Sequence, residues 1–393
     1  MQTSFKKNKK KVGILTFHFA YNVGAVLQAY ALKKTFNNYC DCSVVNYCPD
    51  YHLNQYVLKD ENKPLWKAKQ LKKKLPKKFS SLLKAIKCYF VSFKNYEYLV
   101  KKNQTKKYKS LIKRLFSSPI ISSKEDLSKE IEKYQALVVG SDQLWNKHIT
   151  DGVFDSVYFL DINGYDKEKY SYAVSAGNCL EEKDISYVKE KLKSFNAVSV
   201  REKALLQQLN DNDIPASLDV DPTFLLDKKD YLTLEKRVKV KKPFIFVYCF
   251  EITEELNSLL KNLQDKYGYE IVFAISFSYQ LSVEFPFKCK KILGISPDEF
   301  LYCVHHSEMV ITNSFHGTAF SVIYQKKFII VPSSFARNRI TELLYEFNLQ
   351  HHIYGSDNFS VESDWNNVKK IIDKKREKSI EYIKNISLCK DSF

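Results

Sequence analysis

Met309–Pro332 reads M-V-I-T-N-S-F-H-G-T-A-F-S-V-I-Y-Q-K-K-F-I-I-V-P. Met309–Thr312 and Phe328–Val331 are short apolar runs that suit buried strands. Thr318–Tyr324 suits a short helix, and Asn313–Gly317 a polar turn. That order makes a βαβ unit whose turn lies at the carboxyl end of its first strand. Ligands collect there in open α/β sheets, because helix N–H groups and the helix dipole point at one place. His316 stands at the mouth of that helix.

The same alternation extends in both directions. Towards the N-terminus come strand Lys11–Phe17, helix Ala25–Phe36 and strand Ser43–Tyr47. After an interruption follow strands Ala136–Val139, Val157–Leu160, Tyr170–Val174 and Ala197–Val200. Helices Asp184–Phe195, with Asp184 as its cap, and Lys203–Leu209 lie among them. The charged stretch Lys228–Lys242 reads as a linker. Beyond it come strand Phe244–Phe250, helix Thr253–Tyr267, strands Glu270–Phe277 and Lys291–Leu293, a helix from Ser296-Pro297 to His306, and helix Asn338–Phe347. Alternating strands and helices predict an α/β chain of two doubly wound domains, 1–235 and 240–355. A tail helix, within 360–393, is long enough to cross back to the first.

The chain has 393 residues and a net charge of +17. Lys63 to Arg114 contains 17 Lys and one Arg against one acid, so this segment alone carries the whole excess. Its apolar residues recur at helical spacing between lysines, and Pro76 breaks the pattern. Residues 63–116 therefore read as a basic helical insert in the first domain. A solvated face, nucleic-acid binding and an anionic membrane surface are its three readings. Nucleic acid is set aside, since no recognised binding fold and no arginine bias accompany the charge. The membrane surface fits best. Nine cysteines, none in a C-x-x-C pair, argue for reduced thiols in a cytoplasm. No apolar run spans a bilayer, and the N-terminus does not read as a signal peptide. His305-His306 and His351-His352 look like ligand pairs, but no third ligand joins them at metal spacing. No metal is expected.

Six segments, in order, resemble the polysaccharide pyruvyl transferase family: V-G-I-L-T-F-H at 12–18 with N-V-G-A-V-L-Q-A-Y at 22–30, V-V-G-S-D-Q-L-W-N at 138–146, S-Y-A-V-S-A-G at 171–177, S-V-R-E-K at 199–203, D-P-T at 221–223 and T-N-S-F-H-G at 312–317. They cover most of the chain and leave out the basic insert. The resemblance implies two Rossmann-like domains facing across a cleft, as in glycosyltransferases of the B type. It implies pyruvate transfer from phosphoenolpyruvate to a sugar as a ketal, with no cofactor and no metal. Where such members read Arg-Leu-His at the helix mouth, this chain reads Ser314, Phe315 and His316. Arg201 matches the other arginine that holds the donor.

On that reading His316 is the catalytic acid and a donor contact, since histidine titrates in the useful range. Arg201, Asn313, Ser314, Phe315, Gly317, Arg337 and Arg339 form the donor side. Only six arginines occur, and arginine's planar fork suits carboxylate and phosphate. Asp142, Gln143, Trp145 and Asn146, with His18, Asn22 and Gln28, form the acceptor side. The acceptor is a sugar or lipid-linked oligosaccharide, and the protein is cytoplasmic, peripheral at the inner membrane face.

Plainer readings stand beside these. His316 could cap its helix, Asp142 could be an N-cap, Trp145 could be packing, and Arg201 could join the domains. Two other functions stay open: a nucleotide-sugar glycosyltransferase, and a non-catalytic glycan-binding relative.

Overall fold

In the computed structural model, residues 9–49, 51, 101–177, 179–276, 280, 283–333 and 337–388 are described. The first domain is a six-stranded parallel sheet. In chain order it comprises β1 (Lys11–Leu15), α1 (Val23–Phe36), β2 (Asp41–Val44), α2 (101–116), α3 (Lys124–Ile131), β3 (Ala136–Asp142), β4 (Glu168–Val174), α4 (Glu182–Leu192), β5 (Ser199–Val200), α5 (Lys203–Asp211) and β6 (Ser217–Leu218). The strand order is β2-β1-β3-β4-β5-β6. After α6 (Lys228–Leu232), the second domain comprises β7 (Phe244–Tyr248), α7 (Glu254–Tyr267), β8 (Glu270–Ile275), β9 (Cys289–Leu293), α8 (Pro297–His306), β10 (Met309–Thr312), α9 (Phe315–Ile323), β11 (Phe328–Ile330) and α10 (Arg337–Glu346). Its parallel sheet is ordered β11-β10-β7-β8-β9. These are the two Rossmann-like sheets expected. In each, the order reverses at one place, between β1 and β3 and between β7 and β10, where such sheets bind ligands.

α1 is the hub. Eleven of its 14 residues are buried. Val26, Ala29, Leu32 and Phe36 pack into the first domain, whereas Val23, Leu27 and Ala31 pack with Phe244, Phe246 and Phe320 of the second. A helix apolar on every side belongs between two cores. Burying Val23 and Leu27 contributes about 1.5–3 kcal/mol each, so the domains meet through a core contact. The last helix, α11 (Trp365–Ser387), spans both halves. Val368 and Ile372 join the second core, and Ile383 and Ile386 the first. Tyr382 Oη donates to Ser171 O (2.8 Å), and Lys10 Nζ to Ile386 O (2.7 Å).

Several local expectations change. Val157–Leu160 is a 3-10 turn at Ser156–Phe159, capped by Asp155. A short, wholly buried apolar run cannot be told from a strand by periodicity. The charged stretch from Lys228 opens with α6, whose Tyr231 is buried and donates to Thr223 O (2.9 Å). α9 starts three residues early because Ser314 caps it. Glu181, not Asp184, precedes α4, and Asp184 instead pairs with Lys147 at 2.6 Å. His352, in one of the histidine pairs set aside as ligands, is buried and stacked 3.9 Å over Phe328. Its Nδ1 donates to Phe328 O, and Ser363 Oγ donates to its Nε2.

The insert lies largely outside the described residues, which hold only 101–116 of it. That portion is no plain solvated face. Tyr108, Leu111 and Phe116 enter the first core, and Lys107 reaches Glu299 of α8 at 2.6 Å.

Candidate active site

The site forms where the two sheet edges meet. On the second domain, Thr312 ends β10 and its hydroxyl donates to Tyr248 O (2.5 Å) while accepting Ser314 N–H (3.0 Å). Asn313 is wholly buried. Its Oδ1 accepts Phe250 N–H (2.6 Å) and its Nδ2 donates to Glu251 O (2.9 Å), stapling β10 to the chain leaving β7. Ser314 accepts Gly317 N–H at 3.4 Å. A Cβ on Gly317 would lie 2.1 Å from Thr312 Oγ1, so only glycine fits. Asn313, Ser314 and Gly317 thus build the turn, and Phe315 and His316 face the other domain.

There His316 meets α1. A Cβ on Gly24 would lie 2.0 Å from His316 Nδ1, so the ring rests on the first turn of that helix. The N-terminal positive ends of α1 and α9 therefore converge on one imidazole. Its Nε2 is buried and has no hydrogen-bond partner among the described residues, lying 3.9 Å from Asp221 Oδ2. Burial pushes the His316 pKa down; Asp221 and Asp142 pull it up, and Arg201 and Arg339 push it down further. The resting ring is neutral.

Asp221 is held by Arg201 Nη1 (2.6 Å), Thr223 N–H (3.0 Å) and Thr223 Oγ1 (2.7 Å). Burial opposes its charge, but Arg201 and His316 outweigh that and keep the carboxyl below its usual range. Arg201 also reaches Glu202 at 3.3 Å. Its guanidinium lies over the Phe315 ring, 4.9 Å from the centroid, and that of Arg339 lies 5.8 Å from the same centroid. Burial and the neighbouring Arg201 both lower the Arg339 pKa. Two cations sharing one aromatic ring repel each other, and an anion between them would relieve that. Both line a cavity of about 130 Å³ with Asp219, Asp221, Phe315 and Glu342. The Arg337 side chain lies outside the described residues.

Across the cleft, Asp142 ends β3 in a left-handed conformation (φ 81°), its carboxylate accepting Gln143 N–H at 2.8 Å. Asn146 Nδ2 donates to Gln143 Oε1 (2.8 Å). Both pack on Gly177, where a Cβ would lie 2.6 Å from Asn146 Nδ2. These three half-buried polar groups form one patch. The remaining acceptor-side residues do not join it. His18 is buried and bonded to Thr16 O (3.0 Å) and Asn46 Oδ1 (2.7 Å). Gln28 donates to Thr16 Oγ1 (2.8 Å) and accepts Ser141 N–H (3.2 Å), tying the residue after β1 to the end of β3. Trp145 is 1% exposed, stacked on Phe159, with its N–H on Tyr158 O (2.9 Å). It presents no sugar-stacking face. Asn22 caps α1 through Gly24 and Ala25 N–H.

Asp221, Glu202 and Gly24 were not assigned from sequence. The first two stand inside D-P-T and R-E-K; Glu202 adjoins Arg201 in sequence, whereas Asp221 meets Arg201 only in the fold, 20 residues away. Gly24 carries no local signal, because the atom it accommodates comes from the other domain.

A family model described as polysaccharide pyruvyl transferase matches residues 22–334. No curated protein matches the chain. Among solved structures, it is similar to the UDP-GlcNAc 2-epimerase of Neisseria meningitidis bound to UDP-GlcNAc (9% identity, 97% of this chain and 95% of that one, TM-score 0.47). A putative UDP-N-acetylglucosamine 2-epimerase of Listeria monocytogenes gives 8% identity, 95% and 91% coverage and a TM-score of 0.49. ADP-heptose lps heptosyltransferase II of E. coli gives 11%, 94% and 99%, and 0.38.

Proposed function

The chain belongs to the polysaccharide pyruvyl transferase family, and from that premise we propose that it transfers pyruvate from phosphoenolpyruvate to a sugar of a surface polysaccharide repeat unit as a ketal. The observation that carries this reading is the pair of guanidinium groups over Phe315, beside His316 with its buried Nε2. Phosphoenolpyruvate presents a carboxylate and a phosphate, and two arginines match two anionic groups. With serine at 314, Arg339 supplies from α10 the charge that other members carry at the helix mouth.

In the reaction two sugar oxygens bond to the enol carbon, and the methylene carbon gains a proton to become methyl. The carbon–oxygen bond to phosphate breaks, with its electron pair leaving on phosphate. Of the two hydroxyl protons, one balances the methyl group and one leaves with phosphate. His316 handles the proton to carbon. Its neutral resting ring takes up a proton when the donor's negative charge arrives, because a nearby anion raises a histidine pKa. Such a group contributes ~10²–10⁴-fold. Asp142, Gln143 and Asn146 hold the acceptor hydroxyls.

No described helix is long and apolar enough to cross a membrane. The lysine excess of 63–116 supports work at the inner membrane face on a lipid-linked acceptor, at about 1 kcal/mol per basic residue near an anionic surface. Cosedimentation with anionic vesicles, lost on deleting 63–100, checks this; unchanged binding rejects it.

Thermal shift separates the donors. Phosphoenolpyruvate should stabilise the wild type and not Arg339→Ala. Stabilisation by UDP, GDP or CMP instead would point to a nucleotide-sugar enzyme and reject the pyruvyl donor.

A further inference from the structure

The linker side of the second domain carries a cluster that the transfer chemistry leaves unused. His305 and His306 end α8, with ring centroids 4.4 Å apart. Glu235, beyond α6, reaches both: Oε1 lies 3.0 Å from His305 Nδ1 and Oε2 3.6 Å from His306 Nε2. From sequence this histidine pair lacked a third ligand. The chain supplies one from 70 residues away.

We propose that Glu235, His305 and His306 bind a divalent transition-metal ion of the zinc type. Two imidazole nitrogens and a carboxylate are a common donor set for such ions. Bonds of about 2.0–2.1 Å in a tetrahedral shell put neighbouring ligand atoms roughly 3.3–3.5 Å apart. The two Glu–His spacings lie on either side of that value, and the three ligand atoms all fall within 4.8 Å of one another. Tyr324 Oη donates to Glu235 Oε1 at 3.1 Å, an outer bond that fixes the carboxylate. All three side chains are partly exposed, leaving the remaining positions to water. The negative end of the α8 dipole adds attraction.

Lysines oppose it. Lys242 Nζ lies 3.1 Å from His306 Nδ1, and Lys326 Nζ donates to His305 O at 3.1 Å. Lys242 is exposed, and its flexible stem can carry the ammonium into solvent when the ion enters. A bound ion would tie the linker to α8.

The test is calorimetric titration of the untagged full chain with Zn²⁺, and with Co²⁺ for its visible spectrum. One saturable equivalent with nitrogen and oxygen ligation is expected. Glu235→Gln and His306→Ala should each weaken it on the order of tenfold or more. Lys242→Ala should tighten it severalfold by removing a like charge. His306 is partly exposed, so its variant stays informative if Glu235→Gln folds poorly. Absence of a saturable equivalent, thiolate ligation, affinity unchanged in His306→Ala, or weaker binding in Lys242→Ala would each overturn the proposal.

Discussion

Gly24→Ala adds one methyl group to a helix in the first domain and should disable a histidine in the second. The new Cβ would lie 2.0 Å from His316 Nδ1, 2.2 Å from Cε1 and 2.3 Å from Cγ. Ordinary contact needs about 3.5 Å, so the ring must retreat by more than ~1 Å. Its Nε2 is buried and faces Asp221, so no retreat leaves the site intact. A misplacement of about 1 Å can cost ~10²-fold, which sets the expected loss in kcat. Stability should change by at most a comparable amount, since ~10²-fold is about 2.7 kcal/mol. Overpacking costs about 1–3 kcal/mol, and replacing a helical glycine by alanine returns up to ~1 kcal/mol. Arg201 and Arg339 are untouched, so donor-induced thermal stabilisation should persist. The assay is phosphate release from phosphoenolpyruvate with acceptor present, beside a melting curve. Wild-type kcat in a folded Gly24→Ala protein would refute the placement of His316 against α1, or its part in the chemistry.

The two arginines should separate. Arg339→Ala should raise the donor KM about 10–100-fold, the size of a charged hydrogen bond, at nearly unchanged stability, measured by initial rates and melting. Arg201→Ala leaves Asp221 as a buried unpaired carboxylate and should also destabilise by about 3–5 kcal/mol in urea unfolding. For acid stability, burial takes the His352 pKa from an ordinary 6.5 to about 4. A histidine kept neutral by folding binds a proton on unfolding, so this stability is complete above pH 6.5 and lost as pH falls towards 4. It amounts to roughly 3 kcal/mol at most; a urea midpoint flat between pH 7 and 4 would reject it. His316 shifts in the same direction, which shapes catalysis. For an acid, kcat/KM should fall as pH rises through its depressed value, while the kcat limb sits higher because the bound donor raises it. His316→Gln should abolish both limbs.

The βαβ unit at 309–330 was legible because two short apolar runs flank a polar turn and a helical stretch; the cap at Ser314 was not read, which is why the helix start was placed three residues late. The alternation along the chain likewise gave both Rossmann-like sheets. What stayed hidden was decided across domains. α1 is apolar on all sides because it serves two cores, and no local pattern names the second. His18, Gln28 and Trp145 have the chemistry of ligand contacts, yet their polar atoms are spent inside the first domain. Asn313 was rightly drawn to the sheet edge, but it staples the edge and does not face the cleft. Arg339 was singled out because arginine is scarce in a lysine-rich chain, and it lies over the same Phe315 ring as Arg201. Glu235 escaped notice because its partners are 70 residues away.

Pyruvyl transfer itself is tested most directly by mass spectrometry of the surface polysaccharide repeat unit from cells carrying the wild-type gene, the His316→Ala gene or none. The wild type should show the repeat unit with one acid-labile pyruvate ketal, and the other two the same sugars without it. A repeat unit that instead loses a whole sugar, or one unchanged in all three, would contradict the assignment.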